Sequence, residues 1–397
     1  MPQLSPNTNS FALRSSLFAL LLPIVACHSQ QDGNTALDQA MARLQKRDDW
    51  AERPVLQLPR HPAEKFLRGW VIVLDPGHGG AAHRRGYKRG PSGVREAEIN
   101  LRVALLVERL LADAGAKVIL TRRSDVELSL EKRSEVANTA RRPDGGPGAD
   151  LFLSLHHNLD RSPDVNYTSI WYHAEVDFSE PSLDVARYLA HAIGRALRTN
   201  VGYDSPLMSD RQMYQGGFGV LRNLKVPGVL LESSFYSNRA EEQRLRDAGY
   251  NLREAYAIYE ALCEYAYGGR PTQSVPVVVG SNSLTLSTFL DDGLPSDWWT
   301  AGRNRIVTSS IAVELDGQTL EFDYQPSTRR LQVGLPLSAA ILANSAHVVS
   351  IHHQNLFKHH NWPQRYKLRA TCPLRTDGRW QLSAEPIGQI RADRVPD

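Results

Sequence analysis

Three short, uninterrupted apolar runs constrain this chain most: VIVL at 71–74, LFLSL at 151–155 and VPGVLL at 226–231. A strand that is apolar at nearly every position leaves no side for water, so it belongs in a sheet covered on both faces. Between these runs the period changes to that of a helix. In REAEINLRVALLVERLLADAG, at 95–115, Ile99, Val103, Leu106 and Leu110 recur on one face, and Gly115 stands where a helix would stop. KVILT and TSIWYH read as further strands. LEKRSEVANTA reads as a helix capped by Ser129, and SLDVARYLAHAIGRALRT as an amphipathic helix; two more follow near 240–248 and 251–266. Strands alternating with helices predict an α/β body, a mainly parallel sheet with helices on both faces.

After Gly269 the period becomes two. PVVVGSNSLTLSTF, SSIAVELDG, TLEFDY, RRLQVGL and HVVSIH are short alternating runs, and LDGQ reads as a tight hairpin turn. Residues 269–303 are read as a linker with β segments and 304–397 as an all-β, sandwich-like module. The run IAVELDGQTLEFDYQPSTRRLQVGLP, followed by HVVSIHHQN, resembles a bacterial immunoglobulin-like domain.

At the other end, Arg14 precedes LFALLLPIVA, a run too short to span a bilayer and suited to a signal-peptide core. It ends in Ile24-Val25-Ala26-Cys27, which resembles a bacterial lipobox. That resemblance implies a signal peptide over 1–26 and a lipid on Cys27. Because His28 is not Asp, it also implies the periplasmic face of the outer membrane in a two-membrane bacterium. Residues 27–68 then form a tether, with the α/β body at 69–268. The 397 residues suit two domains plus tails, and the net charge of +3, with both signs well mixed, contains no basic block that would argue for nucleic acid. Cys263 and Cys372 fall in different domains; an exported chain permits a disulfide, and two buried thiols fit equally well.

The polar residues at the strand ends carry the chemistry. His78 lies in the turn DPGHGG, which lacks the GK[ST] tail and the GxGxxG spacing of phosphate loops. His156 and His157 are adjacent, so on a strand they point to opposite sides; the S-L-H-x-N arrangement selects His156. Glu96 and Glu98 open a helix, a position where acidic residues are commonplace. Glu232 ends a nearly continuous apolar run, and low dielectric there would raise its pKa toward the range useful for proton transfer. Two histidines and a carboxylate are a ligand set that suits catalytic zinc. In the tail, IHHQNLFKHHNW holds His352, His353, His359 and His360, read as exposed histidines at a strand end and loop rather than as a second metal site.

Jointly, VIVLDPGHGG, GVREAEINL, AGAKVILTR, LSLEKRSEVAN, ADLFLSLHHN and VLRNLKVPGVLLESSFYSN resemble, in order, the zinc-dependent N-acetylmuramoyl-L-alanine amidases of the amidase-3 type. The resemblance implies zinc on His78, Glu96 (rather than Glu98) and His156, with Glu232 as the catalytic carboxylate. It implies hydrolysis of the amide between N-acetylmuramic acid and L-alanine of the peptidoglycan stem peptide, for wall remodelling or daughter-cell separation. Asn158 and Arg222 are candidate substrate contacts, and a protein activator is a further expectation. A rival reading is a catalytically silent or activator-dependent wall-binding scaffold. His157 stands where the family usually has a small residue.

Overall fold

The structure is a computed structural model. It describes residues 58–81, 83–143, 145–175, 178–199, 207–280, 283–294, 304–337, 346–370 and 380–387. The signal peptide, Cys27, most of the tether and Cys372 lie outside the described residues.

The first body is a six-stranded sheet: β1 (Val71–Pro76), β2 (Lys117–Leu120), β3 (Leu151–Asn158), β4 (Ser169–Tyr172), β5 (Leu207–Ser209) and β6 (Gly228–Phe235). The spatial order is β2-β1-β3-β6-β4-β5. The first four in that order are mutually parallel; β4 runs antiparallel to β6, with β5 parallel to β4 at the edge. The helices are α1 (Glu96–Asp113), α2 (Leu130–Thr139), α3 (Ser179–Leu197), a single turn α4 (Gly219–Arg222), α5 (Arg239–Leu245) and α6 (Ala248–Tyr267). Ser129 caps α2 by accepting from the Lys132 amide.

Side-chain alternation explains why the apolar runs are unbroken. Ile72, Leu74, Leu151, Leu153, Leu155, Val229 and Leu231 enter one core with α1, α3 and α6. Their sequence neighbours Val71, Val73, Phe152 and Leu230 enter a second core with Ala137 of α2 and Val220 and Leu221 of α4. Each of these apolar strand residues is thus spent on one core or the other.

The body begins earlier than Gly69. Leu58, Ala63 and Leu67 are part of the first core. Tyr256 and Tyr259 of α6 donate to the Pro59 carbonyl and the Glu64 carboxylate at 2.9 and 2.6 Å. The last residues assigned to the tether therefore belong to the domain.

The second body is an antiparallel sheet built from β7 (Thr272–Gln273), β8 (Val277–Gly280), β9 (Leu284–Asp291), β10 (Ala312–Leu315), β11 (Gln318–Thr319), β12 (Phe322–Gln325), β13 (Arg330–Leu335), β14 (His347–His352), β15 (Arg365–Ala370) and β16 (Trp380–Ile387). The order is β11-β10-β14-β15-β16-β8-β9-β13-β12, with β7 beside β9. The two ends of this path, β11 and β12, are separated in the chain only by Leu320 and Glu321. The sheet must therefore curl back on itself, and it closes around one core that includes Val278, Leu286, Val313, Val333, Ile351 and Tyr366. One sequence expectation changes here and one is met. Within the stretch 269–303, read as a linker with β segments, Val277–Gly280 and Leu284–Asp291 are interior strands of the module, paired with β16 and β13. The predicted hairpin at LDGQ is present, with Asp316 and Gly317 at φ of 51° and 81°.

This β-module docks at the edge of the parallel sheet where its strands begin. Asp150, just before β3, accepts from the Val71 amide at the start of β1, and it pairs with Arg270. The histidine-rich tail forms much of the contact. His359 bonds Tyr188 of α3 at 2.9 Å and the Gly269 carbonyl at 2.8 Å, and His360 bonds Asp184 through both its amide and its ring. Gly268 has no room for a side chain, because a Cβ there would lie 2.4 Å from the His359 ring. The expected exposed histidines are thus corrected: His353 and His359 are 1% and 3% exposed, His359 against α3 and the end of α6, and His353 with its ring on the Asp291 carbonyl.

Candidate metal centre

The functional side chains gather at the opposite edge, beyond the ends of β1, β3 and β6. The chain turns from β1 one way to β2 and the other way to β3, which leaves a crevice at the strand ends between them. His78 sits in that crevice, on the turn after β1. Its φ is 57°, in the left-handed region, and Gly79 and Gly80 follow at 133° and 72°. Gly77 meets a different demand: a Cβ there would lie 2.2 Å from the His156 imidazole.

Parity does the rest. His156 lies on the β3 face shared with Phe152 and Ser154, and Glu232 is its register partner on β6. His157 points to the other face, where it is buried and bonds Asn100 of α1 at 2.9 Å and Glu254 of α6 at 3.2 Å. Glu96 is the first residue of α1, and its amide donates to the Lys88 carbonyl.

The sequence-predicted ligands converge. Glu96 Oε1 lies 3.1 Å from His78 Nε2 and 3.0 Å from His156 Nδ1. One ligand atom from each of the three residues falls within 4.8 Å of the others, and this is the one such cluster found among the described residues. The two rings meet edge to face, with centroids 4.8 Å apart. Burial opposes ionisation of Glu96, but hydrogen bonds to His156 and His78 hold its carboxyl well below the usual range. Burial, then the facing Glu96 carboxylate, pushes Glu232 well above that range, with Lys88 acting in the opposite direction.

Two oxygens test whether a metal fits. Glu96 Oε2 and Glu232 Oε2 are sealed from solvent without a hydrogen-bond partner. Buried carboxylate oxygens are rarely left so, because the desolvation cost is unrecovered. A cation among two imidazoles and a carboxylate would satisfy Glu96, and the donor set is that of zinc sites.

Asn158 and Arg222 do not join this cluster. Asn158 Oδ1 accepts from the next amide, Leu159, at 2.7 Å. Arg222 lies on α4, exposed, donating to the Gly216 carbonyl.

Sequence reasoning missed the scaffold beneath the turn. Arg133 donates to Asp75 at 2.6 Å and to the Pro76 and His78 carbonyls. Arg122 donates to the Pro76, Gly77 and Ala97 carbonyls, tying the turn to α1. Both arginines are buried. A signal existed: Arg133 shares the inward stripe of α2 with Ala137, and a charge on such a stripe needs buried partners.

With this geometry established, the chain was compared with known proteins. Residues 72–264 match the family model described as N-acetylmuramoyl-L-alanine amidase. The matched stretch thus coincides with the α/β body. Among curated relatives, N-acetylmuramoyl-L-alanine amidase LytC of Bacillus subtilis is 31% identical over 201 residues, covering 50% of this chain and 36% of that protein. "Probable cell wall amidase LytH" of Staphylococcus aureus is 32% identical over 204 residues, covering 50% and 59%. The chain therefore spans only part of the length of the curated relatives it matches. Among solved structures, the catalytic domain of CwlV, an N-acetylmuramoyl-L-alanine amidase from Bacillus (Paenibacillus) polymyxa, is 29% identical, covering 49% of this chain and 97% of that one, with a TM-score of 0.41.

Proposed function

We propose that this protein hydrolyses the amide between N-acetylmuramic acid and the L-alanine of peptidoglycan stem peptides. The observation that carries the reading is the convergence of His78, Glu96 and His156 within 4.8 Å, with Glu232 in register beside His156, inside a domain that matches the amidase family. His78, Glu96 and His156 would hold zinc, which when bound would polarise the scissile carbonyl and acidify a water. The rest falls to the chain. Glu232, kept basic by burial and by Glu96, accepts the proton of the attacking water as the new C–O bond forms. It returns that proton to the amine as the C–N bond breaks. His157, fixed between Asn100 and Glu254, holds the backbone that aims His156. Arg122 and Arg133 hold the turn that aims His78.

The wider setting belongs to the same proposal. Lipidation of Cys27 would anchor the protein at the periplasmic face of an outer membrane, where wall remodelling or daughter-cell separation takes place. The β-module, of immunoglobulin-like kind, docks away from the catalytic edge and leaves it open to the wall or to an activator.

The test is dye release from labelled peptidoglycan by the Cys27→Ser chain, with zinc, with chelator, and with Glu232→Ala added. Zinc-dependent release that Glu232→Ala abolishes, leaving free L-alanine amino ends, supports the amidase. Wall binding without release, even with candidate division partners added, would replace it with a scaffold.

A further inference from the structure

Beside the metal cluster lies a second, basic cleft. We propose that it selects stem peptides by a free carboxylate a few residues beyond the scissile bond, an inference that rests on the amidase reading above. The cavity, of about 420 Å³, is lined by Arg89, Arg161 and Arg239 together with Asp160, Pro91 and Ser237. Three arginines and one aspartate thus line it, with Arg89 also donating to the Gly93 carbonyl at 3.0 Å. The aspartate carboxylate is turned to its own loop, with Asp160 Oδ1 accepting from the Ser162 amide at 2.7 Å. Arg161 and Arg239 are exposed, and neither forms an ion pair among the described residues.

The walls are built rather than loose. Glu242 accepts from the Ser92 and Val94 amides at 2.8 and 3.1 Å, pinning the segment that carries Arg89 and Pro91. Ser237 Oγ accepts from the Asp160 amide at 3.0 Å, and Asn238 donates to the Pro163 carbonyl at 2.8 Å. The loops after β3 and β6 are therefore stapled to each other where they present Arg161 and Arg239.

Position fixes the reach. Asp160 is four residues past His156, and Ser237 five past Glu232. At roughly 3.3–3.6 Å per residue, the cleft begins no further than about 13–18 Å from those two side chains' backbones. A stem peptide leaving the scissile amide in extended form places its second to fourth residues about 7–14 Å along. Its second residue, a glutamate linked through its side chain, leaves an α-carboxylate free unless that group is amidated. Guanidinium groups match a planar carboxylate through paired N–H donors and gain far less from a neutral carboxamide.

The experiment uses two soluble muropeptides that differ only in the second residue, one with a free α-carboxylate and one with the α-carboxamide. Turnover is measured with zinc-loaded wild type and with an Arg161→Gln/Arg239→Gln double variant whose zinc content is checked. Wild type is expected to favour the acid by about tenfold in kcat/KM, mainly through KM, as loss of one charge-assisted contact implies. The double variant should lose the preference by slowing on the acid alone. Binding of both peptides to Glu232→Gln protein is measured in parallel and needs no turnover. Equal kcat/KM for the two peptides, or a preference that survives the double variant, overturns the cleft assignment and leaves the amidase reading intact. If neither peptide is cut, even with candidate division partners added, the amidase reading fails. Tighter binding of the acid that the arginine variant removes would then still support the cleft, and equal binding would end it too.

Discussion

The molecule holds two clusters of histidines and carboxylates at opposite edges of one sheet, and they differ in what their polar atoms have left to bind. At the candidate metal edge, His78 and His156 crowd one Glu96 oxygen, while Glu96 Oε2, 3.7 Å from Lys88 Nζ, and Glu232 Oε2 have no hydrogen-bond partner. At the docking edge the atoms are largely spent. His359 uses both ring nitrogens, on Tyr188 and the Gly269 carbonyl. His360 uses both, on Asp184 and Gln354, although His353 Nδ1 stays unpaired. Residue types that suggest a metal in a sequence become a latch when protein groups fill their donor positions, and a candidate metal centre when they do not.

The comparison breaks most sharply through metal binding. His156→Ala should abolish stoichiometric zinc, a loss beyond the roughly 10–100-fold that removing an outer partner costs. His359→Ala should leave one zinc per chain. Metal analysis after dialysis against a weak chelator decides it, and zinc retained by His156→Ala would show that the ligand set is wrong. Next in size is Asp184→Ala. The side chain is 1% exposed and holds both His360 and Arg187. Its removal leaves the His360 amide and ring without their acceptor, which costs about 1–3 kcal/mol. Denaturant unfolding should show a loss of that order with zinc content unchanged.

The two edges were not equally legible in the sequence. The catalytic edge was, because each of its side chains follows a local pattern: an apolar run, then a turn or a parity choice. Adjacent His156 and His157 had to face opposite ways, and they do. The docking edge was hidden because the partners of its histidines come from far away in the chain, with Tyr188 and His359 171 positions apart. Strand order was also hidden. The reversal at β4 shows no sign in SIWY, and RYKLRA alternates charged and apolar residues without showing which strands β15 joins. Local rules find elements; the satisfaction of buried polar groups is settled only once distant segments meet.

A subtler test lies behind the metal residues. His157 is wholly enclosed; burial works against its charge, and Glu254 raises its pKa nonetheless. It resembles the latch in being satisfied, yet it supports the open cluster. Glu254→Gln or Asn100→Ala should therefore weaken zinc binding or activity about 10–100-fold. Competition with a chromophoric chelator reads the affinity directly. Unchanged affinity in both variants would make His157 a core residue with no part in aiming His156.

The smallest expected effect is a pH dependence confined to the latch. Burial works against the charged form of His360, but its hydrogen bond to Asp184 and the charges of Asp184 and Glu180 together raise its pKa above the usual 6.5, with Arg187 opposing. The folded state therefore holds the proton more tightly than the unfolded chain does. The stability it contributes is complete below pH 6.5 and is lost as pH rises through the folded value. The ring is partly exposed to water, so the contribution is less than about 1 kcal/mol. Unfolding curves for wild type and His360→Gln between pH 5.5 and 8.5 should show the wild-type advantage shrinking as pH rises. A constant difference would mean that the latch holds by its neutral hydrogen bonds alone. The two clusters would then differ in bonding but not in any dependence on charge.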